Sequence, residues 1–241
     1  MDTVKILGIK FHNVNMDEAY KTCVNFINND RIHTVFTPNP EMVMLAQENI
    51  DLKNALLDAD LVVPDGIGII YASNYLKLGL KERVPGIDLM SKLLNYANST
   101  KRSVYFLGAS NQSIELAVNN IKDKYKFIDI KGYHNGYFDK NEELKILNEI
   151  NEKKPDILFV GLGSPRQELW IENNKKILNV KIAMGVGGSF DIYSNTLKRA
   201  PIFMQKLGLE WLYRVLQEPK RFKRIFKIPQ FIFQVLSTKK E

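Results

Sequence analysis

A single acid interrupts an apolar run in "VVPDGIGIIYA", Val62 to Ala72: Asp65, set between Pro64 and Gly66. A carboxylate just past a buried strand can do two things. It can cap the helix that starts near Ile67. It can also act as a general base, since partial burial lifts a carboxyl pKa toward neutrality. The local sequence leaves both readings open. Two further stretches carry glycines where a strand should end, "GLGSPRQE" (161–168) and "GVGGSFD" (185–191). Glycines let backbone N–H groups approach a phosphate, and a following helix N-terminus adds a favourable dipole. Neither stretch matches G-x-G-x-x-G in a first βαβ unit or the Walker pattern, which argues against dinucleotide cofactors and ATP. A sugar nucleotide is left open.

Other chemistry is weaker. "DAD", Asp58 to Asp60, superficially resembles the D-x-D of metal-dependent glycosyltransferases, but it precedes its strand. His12, His33 and His134 are scattered, without an i, i+4 pair, so a structural role is the expectation and no metal is expected. Ser164 and Ser189 lack a G-x-S-x-G elbow. Cys23, the one cysteine, excludes an internal disulfide, suits a reducing compartment and sits in an amphipathic helical pattern.

These residues need elements to hold them. Six β-rich runs, "HTVFTPN", "DLVVPDG", "SVYFLGAS", "FIDIKGYHNGYF", "PDILFVGLGSP" and "VKIAMGVGGSF", alternate with helical patterns. Strand–helix alternation predicts βαβ units on a Rossmann-like, mostly parallel α/β sheet. Runs such as "ILFVGL" are apolar throughout, as strands covered on both faces should be. Ligands of such sheets bind at the carboxyl ends of the strands. The strand ends "TPNPE", "PDG", "LGAS", "GLGSPRQE" and "GVGGSFD" therefore outline one polar crevice.

The chain has 241 residues, and its charge is uneven. From residue 195 to 241 there are eleven Lys/Arg against three Asp/Glu, while residues 1–194 are close to neutral. The division expected is an α/β core over 1–194 and a basic, helical appendage over 195–241. Pro219 and Pro229 should cut the appendage into two or three short helices. A basic tail on a neutral body points to an anionic surface or a phosphorylated substrate. No apolar run nears the roughly 18 residues of a spanning helix, and the N-terminus lacks the apolar core of a signal peptide. Phe222, Phe226, Phe231 and Phe233 suit a membrane interface. Leu209, Leu212 and Val215 need a cover if the tail undocks, and a homo-oligomer is one way to provide it.

In order along the chain, "TPNPEMVMLA", "DLVVPDGIGIIYAS", "RVPGIDLM", "VYFLGAS", "PDILFVGLGSPRQELWI" and "GVGGSFD" resemble the WecG/TagA/CpsF glycosyltransferase family. The likeness runs over essentially the whole chain, including the tail "GLEWLYRVLQEPKRFKR". The resemblance implies transfer of N-acetylmannosamine from UDP-ManNAc to the 4-hydroxyl of GlcNAc on undecaprenyl diphosphate. The β-linked product would enter wall teichoic acid synthesis. It also implies an inverting, metal-independent displacement without cofactors, on the inner face of the cell membrane. Asp65 matches the family's base. Thr37 and Asn39 fit sugar contacts, and Arg83 and Gln167 match pocket positions. Gly108, Gly163, Gly187 and Gly188 would line the nucleotide, with Asp191 near the uridine. Arg214, Arg221 and Arg224 are spaced by seven and three, so one helical face can present them to the departing diphosphate. Binding anionic lipid headgroups is the other use for them. The competing readings are a different UDP-sugar donor, such as UDP-ManNAcA or UDP-glucose, and a non-catalytic nucleotide-binding protein with a basic arm. Nucleic acid is not an expected partner.

Overall fold

Strands that are apolar on both faces must be covered on both, and five of the six strands in the central sheet are. The computed structural model describes residues 1–218 and 226–238. Its central sheet is built from β3 (His33–Phe36), β4 (Leu61–Val62), β5 (Ser103–Gly108), β6 (Asp129–His134), β7 (Ile157–Gly161) and β8 (Ile182–Gly185). All pairings are parallel, in the order β4-β3-β8-β7-β5-β6. The interior strands β3, β5, β7 and β8 are buried at every position, while edge strand β6 is only partly covered.

Alternate residues of each strand feed opposite cores. Phe36, Tyr105, Leu158 and Ala183 join one apolar cluster. There they meet α2 (Pro40–Glu48), α3 (Ile50–Asp58), α7 (Lys140–Lys153) and α8 (Arg166–Asn174). Val35, Phe106, Phe159 and Met184 join the other. That one packs against α1 (Met16–Ile27), α5 (Gly86–Thr100) and α6 (Asn111–Lys124). Cys23 of α1 is fully buried in this second core, and burial pushes its thiol up to about 12. Helix starts are locally specified where a cap is present. Asn15 with Glu18, and Asp139 with Glu142, form capping boxes for α1 and α7.

An antiparallel hairpin precedes the sheet, β1 (Thr3–Ile6) and β2 (Ile9–His12). Its His12 Nδ1 accepts from the Val62 N–H at 3.0 Å, which satisfies a backbone donor of the short strand β4. Burial lowers the His12 pKa, which favours the neutral ring this acceptor role needs. After α4 (Ile67–Tyr75) and α9 (Ser189–Tyr193), the chain ends in α10 (Ile202–Lys206), α11 (Glu210–Gln217) and α12 (Lys227–Ser237). Pro229 does not break this last stretch. It occupies the first turn of α12, where a missing N–H costs nothing. Phe231 and Val235 of α12 are buried in the first core, so Phe231 is not free for a membrane interface as expected. Phe226 and Phe233 are exposed. Phe222 lies outside the described residues. No helix among the described residues is long and apolar enough to cross a membrane.

Candidate active site

The carboxyl ends of four neighbouring strands, β4, β3, β8 and β7, converge on a cavity of about 630 Å³. Thr37 and Asn39 enter it after β3, and Asp65 after β4. Gly163, Ser164 and Gln167 follow β7, and Val186 to Ser189 follow β8. Arg83 comes from the loop before α5 and Gly86 from the first position of that helix, and α11 and α12 close the top.

Backbone bonds hold the Asp65 loop. Its N–H donates to the Pro38 carbonyl at 3.2 Å, and Val84 donates to the Pro64 carbonyl at 2.8 Å. The carboxylate does not cap α4, whose N-cap is Gly66 with no side-chain cap. Asp65 Oδ2 instead accepts from the Gly86 N–H at 3.1 Å, the first amide of α5. The 15-residue α5 has no side-chain cap of its own, so an acid from 21 residues upstream supplies one. Desolvation dominates and raises the Asp65 pKa. The Gly86 hydrogen bond and the Arg83 charge pull it down, and Glu210 pushes it up. Such a carboxylate faces the cavity and can take a proton. Gly86 is held to glycine by close approach, since a Cβ there would come 2.7 Å from Thr37 Oγ1. Asn39 spends its Oδ1 capping α2, at 2.9 Å from the Met42 N–H.

The tail is fastened over this site by charge. Arg199 forms a bidentate pair with Asp88 of α5 at 2.6 and 2.7 Å. Glu210 of α11 sits between Arg83, at 3.2 Å, and Arg199, at 3.6 Å. Gly208 packs on Ile67, leaving no room for a Cβ. Leu209, Leu212 and Val215 are thereby partly covered within the chain itself.

The glycine loops form the far wall. Gly163 and Gly187 have φ of 76° and 53° with open space where a Cβ would stand. Gln167 is buried and bridges the loops: its Oε1 accepts from the Gly187 N–H at 3.0 Å, and its Nε2 donates to Glu168 Oε1 at 2.6 Å. Because a backbone N–H only donates, Gly187 fixes which way the Gln167 amide points and leaves its Nε2 for Glu168. Glu168 is fully buried, its Oε2 has no hydrogen-bond partner, and burial lifts its pKa to about 7. The sequence reading missed Glu168. Its only signal was an acid beside Gln167 at the start of a core-facing helix. Arg214 of α11 lies over Gly188, and its Nη2 is buried without a hydrogen-bond partner. A buried, unanswered guanidinium N–H above a glycine loop is suited to a phosphate oxygen.

Several expected positions lie elsewhere. Gly108 is not among the residues lining the cavity. It is glycine because β5 presses on β7, and a Cβ would overlap the Gly161 carbonyl. Asp191 also lies off the cavity lining, in α9, with its carboxylate close to the space over Gly188 beside Arg214. Arg221 and Arg224 lie outside the described residues. In "DAD", Asp58 is exposed, and Asp60 is occupied by Arg31 at 2.8 Å, by His33 and by the Thr34 N–H. No cluster of three potential metal ligands occurs among the described residues. His33 stacks on Phe26, and His134 bonds its neighbour Asn135, both away from the cavity lining.

Comparison with known proteins gives the chain a family. The family described as glycosyl transferase WecG/TagA/CpsF matches residues 4–241. Two proteins of Staphylococcus aureus, from strains MW2 and NCTC 8325 / PS 47, are each 35% identical to this chain over 240 residues. The similarity covers 99% of this chain and 94% of theirs. Their counterpart from strain MRSA252 is 36% identical over the same extent. All three are named N-acetylglucosaminyldiphosphoundecaprenol N-acetyl-beta-D-mannosaminyltransferase. With a family match that takes in strand-end loops and tail alike, the chain belongs to the WecG/TagA/CpsF glycosyl transferase family.

Proposed function

We propose that this glycosyltransferase moves N-acetylmannosamine from UDP-ManNAc to the 4-hydroxyl of GlcNAc on undecaprenyl diphosphate. This would make the lipid-linked disaccharide that begins wall teichoic acid. Asp65 removes the proton from the acceptor O4. That oxygen attacks C1 of the donor sugar from the face opposite the phosphate. The C1–O bond breaks, its electron pair leaves with UDP, and the anomeric configuration inverts. Arg214 and the N–H groups of the Gly187–Gly188 loop take up the charge growing on the diphosphate. Thr37, Asn39 and Arg83 hold the sugars, and Gln167 keeps the glycine loop in place. Arg221 and Arg224 extend the same cationic role. In this reading residues 1–194 form the catalytic core, and 195–241 form an appendage that completes the site against the inner face of the membrane. Exposed Phe203, Phe226 and Phe233 support that orientation.

One observation carries the reading. The desolvated Asp65 carboxylate and the unpartnered Arg214 Nη2 belong to residues lining the same cavity, a base for the acceptor and a cation for the leaving group. The test is a panel of UDP-sugars offered with a lipid-linked GlcNAc acceptor. UDP-ManNAc should exceed UDP-GlcNAc, UDP-glucose and UDP-ManNAcA by tenfold or more in kcat/KM. A flat panel, or UDP binding with no transfer from any donor, would refute it.

A further inference from the structure

The cavity has two characters. Its strand-end side is polar, with Thr37, Asp65, Arg83 and Gln167. Its opposite side is hydrocarbon and aromatic, walled by Tyr71 of α4, Trp211 and Val215 of α11, and Ile228, Ile232 and Leu236 of α12. A sugar nucleotide gives no reason for so large an apolar wall. The wall is not spare core either. Phe231 and Val235 of α12 are buried, whereas Ile232 and Leu236 on the adjoining stripe remain 51% and 54% exposed. The apolar lining continues outward through Leu207, 64% exposed, on the tail segment that bears exposed Ile202 and Phe203. Helix α11 also presents Trp211, Arg214 and Val215 at positions i, i+3 and i+4, so one helical face joins a cation to the apolar wall. Arg214 there serves the departing UDP, and the apolar positions beside it suit a hydrocarbon chain.

We propose that this apolar wall is the binding site for the first isoprene units of the acceptor's polyprenyl chain. The proposal rests on the transferase reading above, which supplies an acceptor carrying such a chain. The chain would leave the cavity past Leu207 toward the membrane. The wall would set specificity by excluding acceptors that present the same sugar and phosphates without a lipid.

Farnesyl diphosphate is a suitable probe, because its binding is read without turnover. The chain has two tryptophans, Trp170, which is buried, and Trp211, which lines the wall. Fluorescence titration of the full chain should show farnesyl diphosphate binding about tenfold or more tighter than inorganic pyrophosphate, the gain expected from burying a few methylenes. Ile232→Ser and Leu236→Ser change exposed residues, so the fold is retained. Each should cut that margin severalfold while leaving pyrophosphate and UDP binding unchanged. Equal affinity for the two diphosphates would overturn the proposal, as would a margin untouched by the substitutions. A matching loss of UDP affinity would assign the wall to the nucleobase and also overturn it. These outcomes are independent of the donor panel, so failure of the lipid site is distinguishable from failure of the transferase reading.

Discussion

Gly188→Ala should disable Arg214 without touching it. Gly188 has φ −85° and ψ 28°, a conformation open to any residue, so alanine brings no backbone strain. The added Cβ would fall far inside contact distance of Arg214 Nη2, and the other close atoms are Arg214 Cζ at 3.3 Å and Asp191 Oδ2 at 3.4 Å. No backbone stands in the way. The guanidinium must therefore shift by roughly an ångström or more, and it sits on a flexible side chain that can do so. Losing one charge-assisted hydrogen bond to the leaving diphosphate is worth about 1.5–3 kcal/mol. That translates to a roughly ten- to hundredfold fall in kcat/KM for the donor. Initial rates against donor concentration measure it, and a melting curve should show little change in stability. The decisive comparison is a double-mutant cycle with Arg214→Ala. If Arg214 carries the effect, adding Gly188→Ala to Arg214→Ala should change little further. If Gly188→Ala is equally damaging in both backgrounds, or harmless in both, the guanidinium has no part in the reaction.

Three other expectations come from the charge network and the buried acids. Arg199→Ala removes the bidentate pair with Asp88; for a partly exposed pair this is worth about 1 kcal/mol or less. Amides of residues 210–217 should then exchange hydrogen up to about fivefold faster, and unchanged exchange would show that the pair does not hold the tail. Glu168 has a folded pKa of about 7 against an ordinary 4.5, so the folded state keeps a proton that the unfolded state releases. Wild-type stability should fall as pH rises through that window, by up to roughly 3 kcal/mol. Glu168→Gln should lack the slope, so urea denaturation should show its advantage at pH 8 and little at pH 5; an equal difference at both would contradict the buried, titrating carboxyl. EDTA should leave the initial rate within twofold, since arginine serves the diphosphate; a collapse restored by Mg²⁺ would reopen Asp58 and Asp60 as a metal site.

The parallel sheet was legible because its interior strands are apolar on both faces, and five of the helices that follow strands carry a local pattern. The hairpin of β1 and β2 was not. Its turn places Leu7 and Gly8 at φ 47° and 77°, and leucine is not the residue that announces two successive positive φ values. Helix α5 was missed for a nonlocal reason: "RVPGIDLM" offers Pro85 and Gly86 at its start, and the missing cap arrives from Asp65. The same bond explains why Asp65 was ambiguous. It does cap a helix, but a different one from the helix that follows it. Asn39 was legible, because N-P-E is a local start signal, although its oxygen is spent on that start. Gly108 misled because a glycine forced by strand packing looks the same in sequence as one kept for a phosphate.

The central claim is that Asp65 takes the acceptor's proton, and Asp65→Asn tests it most directly. An asparagine oxygen can still accept from the Gly86 N–H, so the start of α5 and the cavity are preserved. With UDP-ManNAc and a lipid-linked GlcNAc acceptor, kcat should fall by about 10²–10⁴ while UDP affinity stays within twofold. In the wild type, the rate should rise with pH through the raised pKa of Asp65, and that limb should disappear in the variant. A variant retaining a tenth or more of wild-type kcat, or one that loses UDP affinity in step with its rate, would contradict the account.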